Sequence, residues 1–244
     1  MRAKISVTVK IRGKKGFTVT LTIIRKDLKE PFDVSIVREG IDIKSVTVEK
    51  LKNGIIFVSV NQFNAKTNEE FSKAISDMIL QEPKGLIVDL RFNGGGYLET
   101  AVDLLSYLLP TDANAVEIRQ RGKDNEMIKT KGGPKILNAP LVILVNEGSA
   151  SASEITAGSI QDNKRGIVMG TKTFGKGSVQ EVENFADGSS LRLTIAKWFT
   201  PKGKTVNHVG LMPDIVVEMD KNDVKNKVDT QKDAAIKYLE NLKK

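Results

Sequence analysis

Two stretches of this chain follow the same plan, and that repetition narrows the fold more than any other feature. Gly85-Leu86-Ile87-Val88-Asp89-Leu90 is a short apolar run, Asn93-Gly94-Gly95-Gly96 is a tight loop, and 97–109 has the pattern of a helix that Pro110 ends. Later, 141–145 is again apolar, small residues follow from Asn146 to Ala150, and 151–162 reads as a second helix. Strand, loop and helix recurring in this order predict an α/β core built from repeated units.

Around that core the pattern predicts further elements. Residues 45–50 and 54–60 read as a strand pair turning at Lys52-Asn53-Gly54. Asn68 is expected to cap a helix carrying Phe71, Ile75, Met78 and Ile79 on one stripe. Between Pro110 and Leu141 the sequence reads as polar and rich in turns. Strands are expected at 167–169, 178–182, 191–198 and 215–217. A lysine-rich helix at 231–242 closes the chain, with Ala234, Ala235, Tyr238 and Leu242 on one face. Ahead of all this, Phe17, Val19, Leu21 and Ile23 alternate with threonines, and 32–37 repeats the strand signal. The expected organisation is a small β-rich segment over 1–44 and a larger domain over 45–244.

Composition excludes several chemistries. The chain has 244 residues, enough for a full core, and no cysteine, so disulfides, thiolate metal sites and cysteine nucleophiles are out. No apolar run reaches the length of a membrane span, and the first residues lack the apolar core of a secretory signal. An export signal removed before Met1 would leave the same picture. The net charge of +8 is concentrated in 1–30, where nine Lys/Arg face Asp27 and Glu30. Phe17 is the only aromatic there, so the stacking platform of a nucleic-acid site is lacking and a solvated surface is expected.

The chemistry-bearing residues gather between Asn146 and Gln180. In Ser149-Ala150-Ser151-Ala152-Ser153-Glu154, a hydroxyl at the start of a helix would sit among unpaired backbone N–H groups, where an oxyanion is stabilised. The same residues fit a capping box, Ser151-x-x-Glu154, and on this ground Ser149, Ser151 and Ser153 remain equal candidates. The second piece is Thr173-Phe174-Gly175-Lys176-Gly177-Ser178-Val179-Gln180. A lysine acts as a base only when neutral, which burial favours, and flanking glycines let a loop press the amine into a tight site. Phe174 is expected to supply apolar cover. If 178–182 is a strand, Ser178 and Gln180 share a face with Lys176. Gly170-x-x-x-x-Gly175-Lys176 spells most of a P-loop, but Gly177 stands where magnesium needs a hydroxyl and a strand pattern follows. His208, the one histidine, lies in a turn-like segment and is read as a surface or structural residue, with neither a triad nor a metal set around it.

Taken in order, five blocks resemble the carboxyl-terminal processing proteases of the S41 serine peptidases. They are Asp89-Leu90-Arg91-Phe92-Asn93-Gly94-Gly95-Gly96, the Ser151 segment, the Lys176 segment, Phe199-Thr200-Pro201-Lys202-Gly203-Lys204 and Gly210-Leu211-Met212-Pro213-Asp214-Ile215. The resemblance implies a crotonase/ClpP-like ββα spiral core with a small β-rich N-terminal PDZ remnant. It makes Ser151 the nucleophile, Lys176 the general base and Gln180 the lysine's partner. The resemblance places the oxyanion hole at the backbone amides of Ala152 and of Gly95, with Gly96 as the second choice, and gives Asp162 a structural role. Protein or peptide substrates with accessible C-termini are implied, with no cofactor, no metal, no nucleic acid and an extracytoplasmic setting. The closing helix has two roles open to it, homodimerisation or cover for the core. Only the closing portion of a PDZ domain is recognisable before residue 45. The alternative reading is therefore a catalytically latent or silenced scaffold that needs a partner or missing PDZ strands.

Overall fold

The computed structural model describes residues 11–26, 28–41, 44–79, 82–220, 223, 226 and 228–242. The chain forms two compact units that part between Ile43 and Lys44. In the first, β1 (Thr18–Ile23) and β2 (Phe32–Val37) make an antiparallel hairpin with Leu21 opposite Val34. Arg2, Lys4, Lys10 and Asp27, counted in the charge of this segment, lie outside the described residues.

The larger unit is built on a six-stranded sheet. Its members are β3 (Val46–Lys50), β4 (Ile55–Val60), β5 (Gly85–Asp89), β8 (Leu141–Val145), β9 (Ile167–Gly170) and β12 (Ile215–Val216). They lie in the order β12-β9-β8-β5-β4-β3, and only β3 is antiparallel to its neighbour. The β3–β4 turn places both Asn53 and Gly54 at positive φ, 74° each, the backbone that Asn-Gly supports and that matches strand twist.

The apolar strands explain the two layers, because alternate residues of each feed opposite faces. Ile56, Val58, Leu86, Val88, Ile143 and Val145 pack on one face, beneath α1 (Thr67–Ile79), α2 (Leu98–Leu108) and α3 (Ala152–Asp162). Ile55, Phe57, Ile87, Val142 and Leu144 pack on the other, under Ala235 and Leu239 of α4 (Thr230–Asn241). The closing helix therefore covers the sheet, and its buried residues are Gln231, Ala235 and Leu239, while Leu242 is 54% exposed. Of the expected stripe, Ala234, Ala235 and Tyr238 pack against the sheet, whereas Leu242 does not and Leu239 takes its place, lying over Gly85 where there is no side chain.

Two more predictions change. Asn68 lies within α1 rather than capping it; Asn64 receives the Lys66 amide at 2.8 Å and Thr67 opens the helix. The polar stretch after Pro110 contains β6 (Asn114–Arg119) and β7 (Glu126–Lys129), whose alternation is too short to stand out among turn residues. With β10 (Ser178–Asn184) and β11 (Ser190–Phe199) they form a second sheet, ordered β10-β11-β6-β7.

Candidate active site

The end of β5 and the end of β8 are neighbours, so the loops that follow them meet. Asn93, fully buried, ties them together. Its side-chain amide donates to Val60 O at 2.7 Å, and its Oδ1 accepts the Gly95 amide at 2.9 Å. Its backbone carbonyl accepts Ala150 N at 3.0 Å and the Ser153 hydroxyl at 2.8 Å. Asn146 does the same from the other side, its Oδ1 accepting the amides of Phe92 and Gly148 at 2.8 and 3.0 Å. The glycines are demanded by this crowding. A Cβ on Gly95 would meet Ala150 O at 2.7 Å and Ser151 Cβ at 2.8 Å, and one on Gly96 would lie 1.8 Å from Phe63 O.

These bonds separate the three serines. Ser149 and Ser153 are fully buried, and their hydroxyls donate to Leu90 O and Asn93 O, both at 2.8 Å. Ser151 is partly exposed and stands immediately before α3 at φ 54°, ψ −114°. Such a backbone costs on the order of 1–3 kcal/mol and persists only where its surroundings enforce it.

Glu154 is the chief enforcer. Fully buried, its Oε2 accepts Ser151 N at 2.9 Å and Lys176 N at 2.8 Å, and its Oε1 accepts Gly175 N at 2.8 Å and the Thr173 hydroxyl at 2.5 Å. The sequence marks Glu154 only as half of a capping box; its three contacts in 173–176 come from a segment about twenty residues away and have no local signal. One carboxylate thus fixes the backbone of the serine loop and of the lysine loop together.

The lysine loop is held from its other side as well. Trp198 donates its indole N–H to Lys176 O at 3.0 Å, and His208 N donates to Gly175 O at 2.9 Å. Gly175 (φ 95°) and Gly177 are forced by neighbours, since a Cβ would reach Gly210 N at 2.8 Å in the first case and Asn207 Cβ at 2.7 Å in the second. Phe174 does not cover the amine: it is 68% exposed. Residues 171–177 run into strand β10 and not into a helix, so the P-loop-like spelling has no P-loop structure. The His208 side chain is exposed, and Asp214 is occupied with Gln161 and the Val168 amide.

Ser151, Lys176, Ser178, Gln180 and Gly96 line one cavity of about 380 Å³. Lys176, Ser178, Val179, Gln180 and Val182 all reach it, because the strand register shifts between Val179 and Gln180 and breaks the simple alternation. Among the described residues, no hydrogen bond joins the Lys176 amine to the Ser151 hydroxyl or to Gln180. The amides of Gly96 and Ala152 also have no acceptor there, whereas the Gly95 amide is spent on Asn93.

Two charged groups brace the surroundings. Arg91, just before the glycine loop, pairs with Asp89 at 2.7 Å and with Asp229 at 2.7 Å, the latter also capping α4 through Lys232 N. Burial opposes the Arg91 charge, but the hydrogen bonds and fields of Asp229 and Asp89 raise its pKa above the ordinary value. These three side chains wall a larger cavity of about 820 Å³. Asp162 accepts Lys202 N and the Lys204 amine; burial would raise its pKa, yet bonds from Thr200, Lys202 and Lys204 hold it below the usual carboxylate range. Among the described residues, no three His, Cys, Asp or Glu gather at metal-binding range, and no helix is long and apolar enough to cross a membrane.

Several proteins that this chain resembles in sequence and fold are named as proteases. The chain is 39% identical over 214 residues to the carboxy-terminal-processing protease of Bartonella bacilliformis, a match covering 85% of this chain and 49% of that protein. It is 34% identical over 213 residues to the carboxyl-terminal-processing protease of Synechocystis sp., covering 86% and 49%. It thus spans about half the length of these relatives. Among solved structures, the photosystem II D1 C-terminal processing protease superposes with a TM-score of 0.68 at 29% identity, over 84% of this chain and 57% of that one. Residues 54–217, which include every loop of the cavity, match the model of peptidase family S41. That match carries all the elements described above from β4 to β12, and the chain accordingly belongs to peptidase family S41.

Proposed function

We propose that the chain is the catalytic portion of a serine endopeptidase that cleaves proteins or peptides near their C-termini. Ser151 attacks the scissile carbonyl, Lys176 takes its proton as general base, Gln180 orients the amine, and the amides of Gly96 and Ala152 receive the oxyanion. Water then hydrolyses the acyl-enzyme. The observation that carries this reading is the shared cavity of Ser151, Lys176 and Gln180, with the two rival serine hydroxyls buried and already donated. Gly96 is preferred to Gly95 as the oxyanion donor because its amide is free. The similarity to processing proteases supports the substrate class and an extracytoplasmic setting as parts of the same proposal.

A second reading, a resting form that needs a partner to become active, is favoured by one observation. The amine and the hydroxyl share a cavity without a hydrogen bond, so the pair is not assembled in this state. Hydrolysis of casein by the wild type, Ser151→Ala and Lys176→Ala separates the readings. Loss of at least about a thousandfold in both variants supports the pair. Equal activity in all three refutes it, and no activity in any of them supports the latent form.

A further inference from the structure

The cavity wall contains a cation that the chemistry above does not use. Arg192, on β11, pairs directly across from Val182 of β10, and both line the cavity with Gln180 and Lys176. Its guanidinium has no hydrogen bond or ion pair with another described residue. Glu99, also on the wall, forms no ion pair with it. Lys197, opposite Ser178, does not line the cavity. β10 is the edge of its sheet, so the outer row of its N–H and C=O groups is open to an extended peptide.

We infer that Arg192 is a specificity-determining residue that binds a carboxylate of the substrate and so sets where the chain is cut. The inference rests on Ser151 and Lys176 being the reacting pair. Val182 lies four residues beyond Ser178 and six beyond Lys176, roughly 13 to 20 Å along an extended strand. A peptide running along β10 therefore brings to Arg192 a carboxylate about four to six residues from the scissile bond. A guanidinium takes a carboxylate in a bidentate, charge-assisted pair, which a lysine or an amide does not reproduce. The carboxylate is either a Glu or Asp side chain or the C-terminus itself, and the two sources share this chemistry.

The test is a set of neutral 14-residue peptides, amidated at the C-terminus, in which one Glu is moved position by position on both sides of the cut. One further peptide lacks Glu and ends in a free carboxylate at the matching spacing. Wild type is expected to show a peak of about tenfold or more in kcat/KM at one spacing, carried mainly by KM. Arg192→Gln should flatten the peak, and Arg192→Glu should move the preference to a Lys-containing peptide. A peak for the walked Glu identifies a side-chain carboxylate; a preference for the free terminus alone identifies the α-carboxylate. A flat scan with both carboxylates, or the same peak in Arg192→Gln, overturns the inference. Anisotropy binding of the same peptides to Ser151→Ala, with and without Arg192→Gln, needs no turnover. If wild type cleaves nothing but binding still follows Arg192, the protease reading fails and the anchor stands. Serine-dependent cleavage with a flat scan gives the opposite result.

Discussion

Glu154 shows how little local sequence says about a residue's role. Its carboxylate accepts from Ser151 N, Gly175 N, Lys176 N and the Thr173 hydroxyl. Replacing it with Gln turns one oxygen into a donor facing donors, so the serine and lysine loops lose their common tether. Glu154→Gln is expected to lower kcat by about 10- to 100-fold with KM changed less than threefold, measured on a peptide substrate; an unchanged kcat would contradict the tether. Gly96→Ala is a harsher test, since its methyl would lie 1.8 Å from Phe63 O at a φ of 148°. It should destabilise the fold by about 2 kcal/mol or more by denaturant titration. The spelling of the sequence selected Ser151 only through the family pattern. In the structure the choice has a physical reason, because the neighbouring hydroxyls are buried and committed to carbonyls.

At the scale of elements, the join between the glycine loop and α4 is electrostatic. Asp229 caps α4 and pairs with Arg91; burial would raise its pKa, but the bonds from Arg91 and the Lys232 amide lower it. A carboxylate whose pKa is depressed by folding contributes stability above its unfolded pKa near 4, and that contribution is lost as pH falls through the folded value. Asp162, lowered in the same way, adds to the effect. Stability should therefore hold from neutrality down to about pH 4 and decline below it. Asp229→Asn should be less stable at pH 7 and show a shallower decline, read from urea midpoints at pH 7, 5 and 3. The strands β4, β5 and β8 and the helices after them were legible because the strands are almost continuously apolar and the helices carry apolar stripes. β6 and β7 were not, since their half-exposed alternation over six and four residues has no period distinct from that of turns.

Across the whole molecule, one sheet organises both functions of the fold, burial and alignment. α4 seals one face through Ala235 and Leu239, each fully buried. Leu239→Ala should cost about 2–5 kcal/mol by chemical denaturation while leaving the loops of the cavity untouched. The class of fold, the glycine loop, the serine and lysine segments and their order along the chain were all present in the residues themselves, because apolar periodicity and backbone-demanding glycines act locally. Which serine is free, which glycine amide has no acceptor, and that Glu154, Trp198 and Arg192 belong to the same small region were decided only by the packed structure. Those facts depend on pairings between segments tens of residues apart, and hydrogen bonds of that reach leave no periodic trace in a sequence.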